Sequence, residues 1–288
     1  MSREKTPGSG GAPWRLIVDE SDDGAWNMAV DEAILEAYES AAQKPNPTLR
    51  LYGWRPPTLS LGRSQRAAQV HDARVLAALG IGLVRRPTGG VAVLHEFERT
   101  YAVVGALGVS PFCGGAIATY RTIAEALRRG LTRLGVEAVP VEPRRGAPRD
   151  SPAACFESVG AWELMANGRK LVGSAQARRR GAFLQHGSIP WRSDASRLAT
   201  VLGAPVDATR FIDLEGATGG VVDPNALDRA CVAGFEDVFG ARLLPGALTE
   251  SEALRAAELR CWKYDSIAWT CGGAIGPREA RWGPAVSR

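Results

Sequence analysis

Residues 153–158 read AACFES, and fifteen positions after Cys155 the stretch NGRKLVGSAQ carries Lys170. A cysteine does nucleophilic chemistry as the thiolate. A free thiol titrates near about 8.5, and a cation beside it lowers that value and raises the thiolate fraction. A turn at 159–160 and the hairpin dipeptide Asn167-Gly168 lie between the two residues, so thiol and amine can meet across adjacent strands. Lys170 heads an apolar strand between Gly168 and Gly173, where a lysine is partly desolvated and suited to acid–base work. On the residues alone two plainer readings stand beside these: Cys155 as core filler, and Lys170 as a solvated lysine next to a turn.

Other segments offer recognition chemistry. RRPTGGVAVLH (85–95) sets Arg86 beside Gly89 and Gly90, with His95 at its end. Paired glycines let backbone N–H groups approach a ligand, and the arginines add positive charge. Without a following Gly-Lys-Ser/Thr this is not a P-loop, and a hairpin turn with exposed arginines is the alternative. Gly173, inside a strand and next to Ser174, marks a close approach or a bulge. In LQHGSIP (184–190), His186 before Gly187 can bind, orient or titrate, or be a satisfied structural group. Arg178, Arg179 and Arg180 sit on a predicted hairpin tip, as a solvated charge run or as a docking patch for an acidic domain.

These residues need a scaffold. WRLIVD (14–19) reads as a strand. Asp22 and Asp23 cap the helix GAWNMAVDEAILEAYES, in which Trp26, Val30, Ile34 and Ala37 recur at helical spacing. TLRLYGW and TLSLGR are strands joined by RPP, and a second helix spans 66–80, ending at Gly80. GLVRR, VAVLH and RTYAVVGA are further strands, followed by a helix near 116–134. After the Pro- and Arg-rich loop EPRRGAPRDSPA come four closely spaced strand candidates: ACFES, AWELMA, RKLVGSAQAR and AFLQHGSIP. RRRG makes the second turn among them. The last seventy or so residues read as helical, with TESE (249–252) as a capping box. Strands in runs, with helices between and no βαβ alternation, predict an α+β fold around a mostly antiparallel sheet. The expected organisation is a disordered tail (1–13), one catalytic domain over 14–270 that is helical from about 222, and a flexible tail (271–288).

Composition narrows the classes. At 288 residues and 45% hydrophobic content the chain can bury a substantial core. No apolar run approaches the roughly 18–20 residues that span a bilayer, and the N-terminus lacks the apolar region of a signal peptide, which predicts a cytoplasmic protein without membrane contact. Five scattered cysteines (113, 155, 231, 261, 271) and three histidines, with no CxxC pair, predict neither a zinc site nor a disulfide framework. A net charge of +4 is too mild to demand nucleic acid and suits an acidic protein partner.

Taken in order, these segments resemble the lipoate–protein ligase and octanoyltransferase family. GAWNMAVDEAIL is similar to its N-terminal helix, LRLYGWRPPTLSLGRSQ to its following strand pair and RRPTGGVAVLH to its acyl-binding Gly-Gly segment. GRKLVGSAQ with LQHGSI is similar to its lysine-bearing strands, and KYDSIAW to its C-terminal signature. The resemblance covers about residues 14–270 and implies a biotin/lipoyl protein ligase-like catalytic domain. CFES ahead of GRK is most similar to the cysteine-dependent octanoyl-[acyl carrier protein]:protein N-octanoyltransferases of the Bacillus type.

That likeness implies transfer of an octanoyl group from acyl carrier protein to a lysine of a lipoyl domain, such as glycine cleavage H protein or a 2-oxoacid dehydrogenase E2, in lipoate biosynthesis. No cofactor or metal is implied, because thioester-to-thioester exchange is nearly isoenergetic and thioester-to-amide transfer is downhill. Cys155 is then the nucleophile that holds the acyl group. Lys170 stabilises its thiolate and takes the proton of the incoming lysine, and backbone N–H groups near Gly173 and Ser174 form an oxyanion hole. Walls near Gly89–Gly90 and His186–Gly187 enclose the chain, whose burial at about 0.8 kcal/mol per CH₂ contributes about 5 kcal/mol. Both protein substrates would be acidic and meet the arginines at 178–180. Val91 departs from the glycine or arginine usual after the Gly-Gly pair; a β-branched side chain there crowds a nucleotide and bears on the shape of the acyl pocket. The rivals are an ATP-dependent lipoate–protein ligase, an amidotransferase between lipoyl domains and, in another class, a non-catalytic binding module. A biotin ligase is disfavoured because its Gly-Arg-Gly-Arg loop is absent.

Overall fold

The computed structural model describes residues 11–70, 72–141 and 163–272. Its first strand, β1 (Gly11–Asp22), leads into helix α1 (Gly24–Ser40) and then into β2 (Thr48–Trp54). Asp23 starts the helix by accepting from the Trp26 backbone N–H at 2.8 Å. Strands β1 and β2 run parallel, so β1–α1–β2 is a crossover unit. This corrects the expectation of no βαβ alternation: among the described residues a second parallel pair, Thr58–Leu61 with Gly82–Arg85, is joined through the helix Ala73–Ala78, and two units of such different length give no period to detect.

The RPP segment does not fold β2 against the next strand. It carries the chain into a second sheet, where β3 (Thr58–Leu61) lies between β4 (Gly82–Arg85) and β5 (Val93–His95). The helix expected at 66–80 is split into a 3₁₀ turn, Ala67–Gln69, and helix α2 (Ala73–Ala78). Asp72 causes the break, because its side chain caps a new helix by accepting from the Arg74 N–H at 2.8 Å.

The chain then returns through β6 (Glu98–Ala106), α3 (Ala116–Arg133) and the short β7 (Val139–Pro140) and β8 (Leu164–Ala166). β9 (Arg169–Arg179) and β10 (Ala182–Pro190) form a long hairpin. Its turn, and the one before β9, use left-handed pairs: Asn167 at φ 50° with Gly168 at 72°, and Arg180 at 32° with Gly181 at 81°. Helices α4 (Ala195–Leu202), α5 (Leu214–Thr218) and α6 (Pro224–Phe239) follow. The segment expected to be helical from about 222 also holds a strand, β11 (Ala241–Pro245), which pairs in parallel with β1. Its ARLLP sequence is too short to show a period of two. The described chain ends in α7 (Glu250–Leu259), a π-helical turn (Arg260–Tyr264) and α8 (Ile267–Gly272).

Among the described residues the large sheet has the order β11-β1-β2-β6-β10-β9-β8-β7, antiparallel from β2 through β8. The fold is α+β with mostly antiparallel pairing. Helices α3 and α6 cover one face around Trp14, Phe183 and Phe235; α1 covers the other around Met28, Ile34 and Tyr52. No described helix is long and apolar enough to cross a membrane.

Candidate active site

Between the two sheets lies a cavity of about 460 Å³, within the range of small-molecule sites. Tyr52 and Trp54 enter it from β2, Arg86, Gly89, Gly90 and Val91 from the turn after β4, and Tyr120 from α3. Eight of the residues selected from sequence line it together: Arg86, Gly89, Gly90, His95, Gly173, Ser174, His186 and Gly187. Lys170 lies just behind this wall, fully buried. A Cβ placed on Gly173 would come within 3.3 Å of its Cε and 3.5 Å of its Nζ. Cys155 and its predicted strand lie outside the described residues. His71 and the loop at 142–153 lie outside them as well.

Glycine is required where backbones converge on the cavity. A Cβ on Gly187 would sit 2.4 Å from the Gly173 carbonyl oxygen and 2.6 Å from the Tyr101 ring. On Gly62, a Cβ would sit 1.8 Å from the carbonyl oxygen of Gly90, and Gly90 itself holds φ 91°. The two arginines of the Gly-Gly segment divide their work. Arg86 faces the cavity and donates to the carbonyls of Gly89 and Val91 and to Ser60. Buried Arg85 instead donates to the carbonyls of Gly62, Gln65, Trp269 and Thr270, which ties the small sheet to α8.

Two histidine–carboxylate pairs form the cavity floor. His186 has Nδ1 3.0 Å from Asp31 and Nε2 2.7 Å from the Thr88 hydroxyl. A carboxylate only accepts, so Nδ1 carries the proton and Thr88 donates to Nε2. His95 repeats the arrangement, with Nδ1 2.8 Å from Glu98 and Nε2 2.8 Å from the Ser60 hydroxyl, and its ring stacks on Trp54 at 4.0 Å. Glu98 also accepts from Thr100 and Ser188.

Burial alone pushes the Asp31 and Glu98 carboxyls up. The hydrogen bond from His186 with the charge of Arg50 outweighs it at Asp31, as the hydrogen bonds from His95, Ser188 and Thr100 do at Glu98, so both sit below the usual carboxylate range. Burial lowers the titration of His186 despite Asp31. Tyr101, whose hydroxyl meets Ser174 at 2.7 Å, is pushed up to about 12 by burial.

The floor was partly missed from sequence. Asp31, Glu98, Ser60 and Trp54 were not selected. Asp31 in the apolar stretch NMAVDEAIL and Arg50 in TLRLYGW were available signals, because charges inside buried elements need partners; they meet at 2.8 Å. Glu163 was missed too: it lines the cavity and accepts from the Lys170 ammonium at 2.7 Å. The arginine tip also differs from expectation. Arg178 and Arg180 are exposed, but Arg179 is half-buried in an ion pair with Glu32 at 2.7 Å and is held by the fold.

A family model described as the lipoyl protein ligase A/B catalytic domain matches residues 23–236. The chain belongs to this family. Its relatives include the octanoyltransferase LipM of Kyrpidia tusciae, 43% identical over 270 residues that cover 89% of this chain and 97% of that protein. Among solved structures, lipoate-protein ligase A bound with ATP shares the fold at a TM-score of 0.78 and 28% identity, over 91% of this chain and 100% of that one. A bipartite lipoate protein ligase studied with its E2 lipoyl domain, from Thermoplasma acidophilum, gives 0.76 at 25% identity, over 92% and 99%. The family match contains every cavity-lining residue named above together with Cys155 and Lys170. Lys263 and Tyr264 of KYDSIAW lie beyond the matched residues and donate to Glu32 of α1, which lies within them, so in this lipoyl ligase-family chain the C-terminal signature is anchored on the first helix of the family domain.

Proposed function

We propose that this chain is an octanoyltransferase of lipoate biosynthesis, moving an octanoyl group from acyl carrier protein to a lysine of a lipoyl domain through a thioester on Cys155. The nearly full-length likeness to a protein named octanoyltransferase carries the reading. The cavity is its physical counterpart: mostly apolar walls and a hydrogen-bonded polar floor suit a medium-length acyl chain with its carbonyl at the Gly173 edge. The acceptor is assigned by likeness to the ligase studied with its E2 lipoyl domain, and the carrier-bound donor by the cysteine that a thioester route needs.

The first half of the reaction is thioester exchange. The Cys155 thiolate attacks the donor carbonyl, the carbon–sulfur bond to the carrier arm breaks, and the departing thiolate takes the proton that Cys155 gave up. Lys170 supports the thiolate, and N–H groups near Gly173 and Ser174 receive the developing oxyanion. The second half is aminolysis of the enzyme thioester by the acceptor lysine. We assign the catalytic domain to residues 14–270 and the enzyme to the cytoplasm, where carrier and lipoyl proteins meet.

Likeness to the ATP-bound ligase favours a second reading, ATP-dependent ligation of free lipoate. Intact mass after incubation with octanoyl-acyl carrier protein, without ATP, separates the two. The transferase predicts a hydroxylamine-labile octanoyl adduct that Cys155→Ser abolishes. No adduct, with activity on free lipoate plus ATP, would establish the ligase. An adduct formed only from an octanoylated lipoyl protein would make the enzyme an amidotransferase.

A further inference from the structure

We propose that Glu163 receives the acceptor lysine: its carboxylate docks the incoming ammonium and takes the proton that must leave before the amine can attack. The inference rests on the thioester route above. It moves to Glu163 the proton-accepting step that the sequence assigned to Lys170.

The geometry points to the carboxylate. Glu163 immediately precedes β8 and lines the cavity; its side chain is 6% exposed. Lys170 is the donor in their 2.7 Å pair, and its side chain is wholly buried. The lysine is fixed in this role by its backbone, which exchanges hydrogen bonds with the carbonyl of Arg210 at 2.9 Å and the N–H of Ile212 at 2.8 Å. Gly173 makes the pair accessible. A Cβ there would lie 3.3 Å from Lys170 Cε and 3.7 Å from Glu163 Oε1, so a larger residue would wall both off from the cavity. The Tyr101 and Ser174 hydroxyls near this edge are joined to each other at 2.7 Å. A lysine side chain entering as a cation therefore finds a carboxylate already braced from behind by a second cation.

The proton balance separates the two half-reactions. In loading, the proton leaving Cys155 reappears on the carrier thiol, so no net acceptor is needed. In transfer, the acceptor ammonium loses two protons as it becomes an amide. The first goes to Glu163 and frees the nitrogen lone pair. The amine then attacks, the carbon–sulfur bond breaks with its electrons going to Cys155, and the second proton passes to that sulfur. Glu163 then returns its proton to solvent.

Glu163→Gln keeps the shape and removes the charge, and the half-reactions are read separately by intact mass. The expected result is loading from octanoyl-acyl carrier protein within a few-fold of wild type, with transfer to a lipoyl domain slowed by about 100-fold or more. Hydroxylamine, which arrives uncharged, should discharge the loaded variant at the wild-type rate. Glu163→Asp, which keeps a carboxylate on a shorter arm, should recover part of the transfer. Equal loss of loading and transfer in folded protein, or no loss of either, overturns the proposal. A wild type that never loads overturns the thioester reading instead, and the two failures are told apart at the first measurement.

Discussion

His186 is held between groups of fixed polarity, an acceptor carboxylate at Nδ1 and a donor hydroxyl at Nε2, so a second proton on its ring would break the bond from Thr88. Its titration is lowered from 6.5 by burial. Below that value the unfolded chain binds a proton that the folded chain refuses, so stability falls as pH drops. Asp31 and Glu98, depressed by their partners, act in the same direction at lower pH: they stabilise above their unfolded values of 3.8 and 4.5 and lose this as pH falls through the folded ones. Thermal melts should therefore decline from about pH 6.5 downward and more steeply below about pH 4.5. In His186→Gln the decline between pH 6.5 and 5 should flatten. At Gly187 the limit is steric: Gly187→Ala must displace the Gly173 carbonyl and the Tyr101 ring, at a cost of about 1–3 kcal/mol. Because these strands wall the cavity, both melting temperature and acyl loading should drop.

Elements are fixed by their ends. The capping box of α7 has Thr249 accepting from the Glu252 N–H, while Glu252 accepts from the Thr249 N–H at 2.8 Å. Glu252 also takes two hydrogen bonds from Arg15 of β1, at 2.6 and 2.7 Å, and so ties helix to sheet. Thr249→Ala should cost about 1 kcal/mol. Glu252→Ala, which also leaves a half-buried arginine without its partner, should cost more, about 2–3 kcal/mol. Urea denaturation ranks them, and equal losses would mean that the bridge to β1 contributes nothing.

At the scale of the whole molecule, Glu32 joins parts of the chain far apart in sequence. On α1 it accepts from Lys263 at 2.5 Å and pairs with Arg179 of β9 at 2.7 Å, and Lys263 lies 4.2 Å from the centre of the Trp269 ring. Burial alone would raise the Glu32 carboxyl, but the two cations hold it below its usual value. Removing the carboxylate strands two cations, Lys263 among them nearly fully buried. Glu32→Ala should cost about 3–5 kcal/mol. For a chain of this size the melting temperature should fall by roughly 10 °C. A change within a degree or two would mean that the C-terminal segment does not depend on this anchor.

The sequence by itself determined what depends on neighbours along the chain. α1, β2 and β10 fall at their predicted residues because capping, periodicity and turn dipeptides act over a few positions. The chemistry-bearing types in the Gly-Gly, lysine and histidine segments were legible for the same reason. Contacts across the fold were decided only by the tertiary structure. Thr88 meets His186 from 98 positions away and Asp31 meets it from 155, while Arg85 reaches α8 across 184. No local pattern encodes such pairings. They arise because a buried charge or hydrogen-bonding group must find a partner inside, and the stacking of two sheets and a crossover helix selects which one.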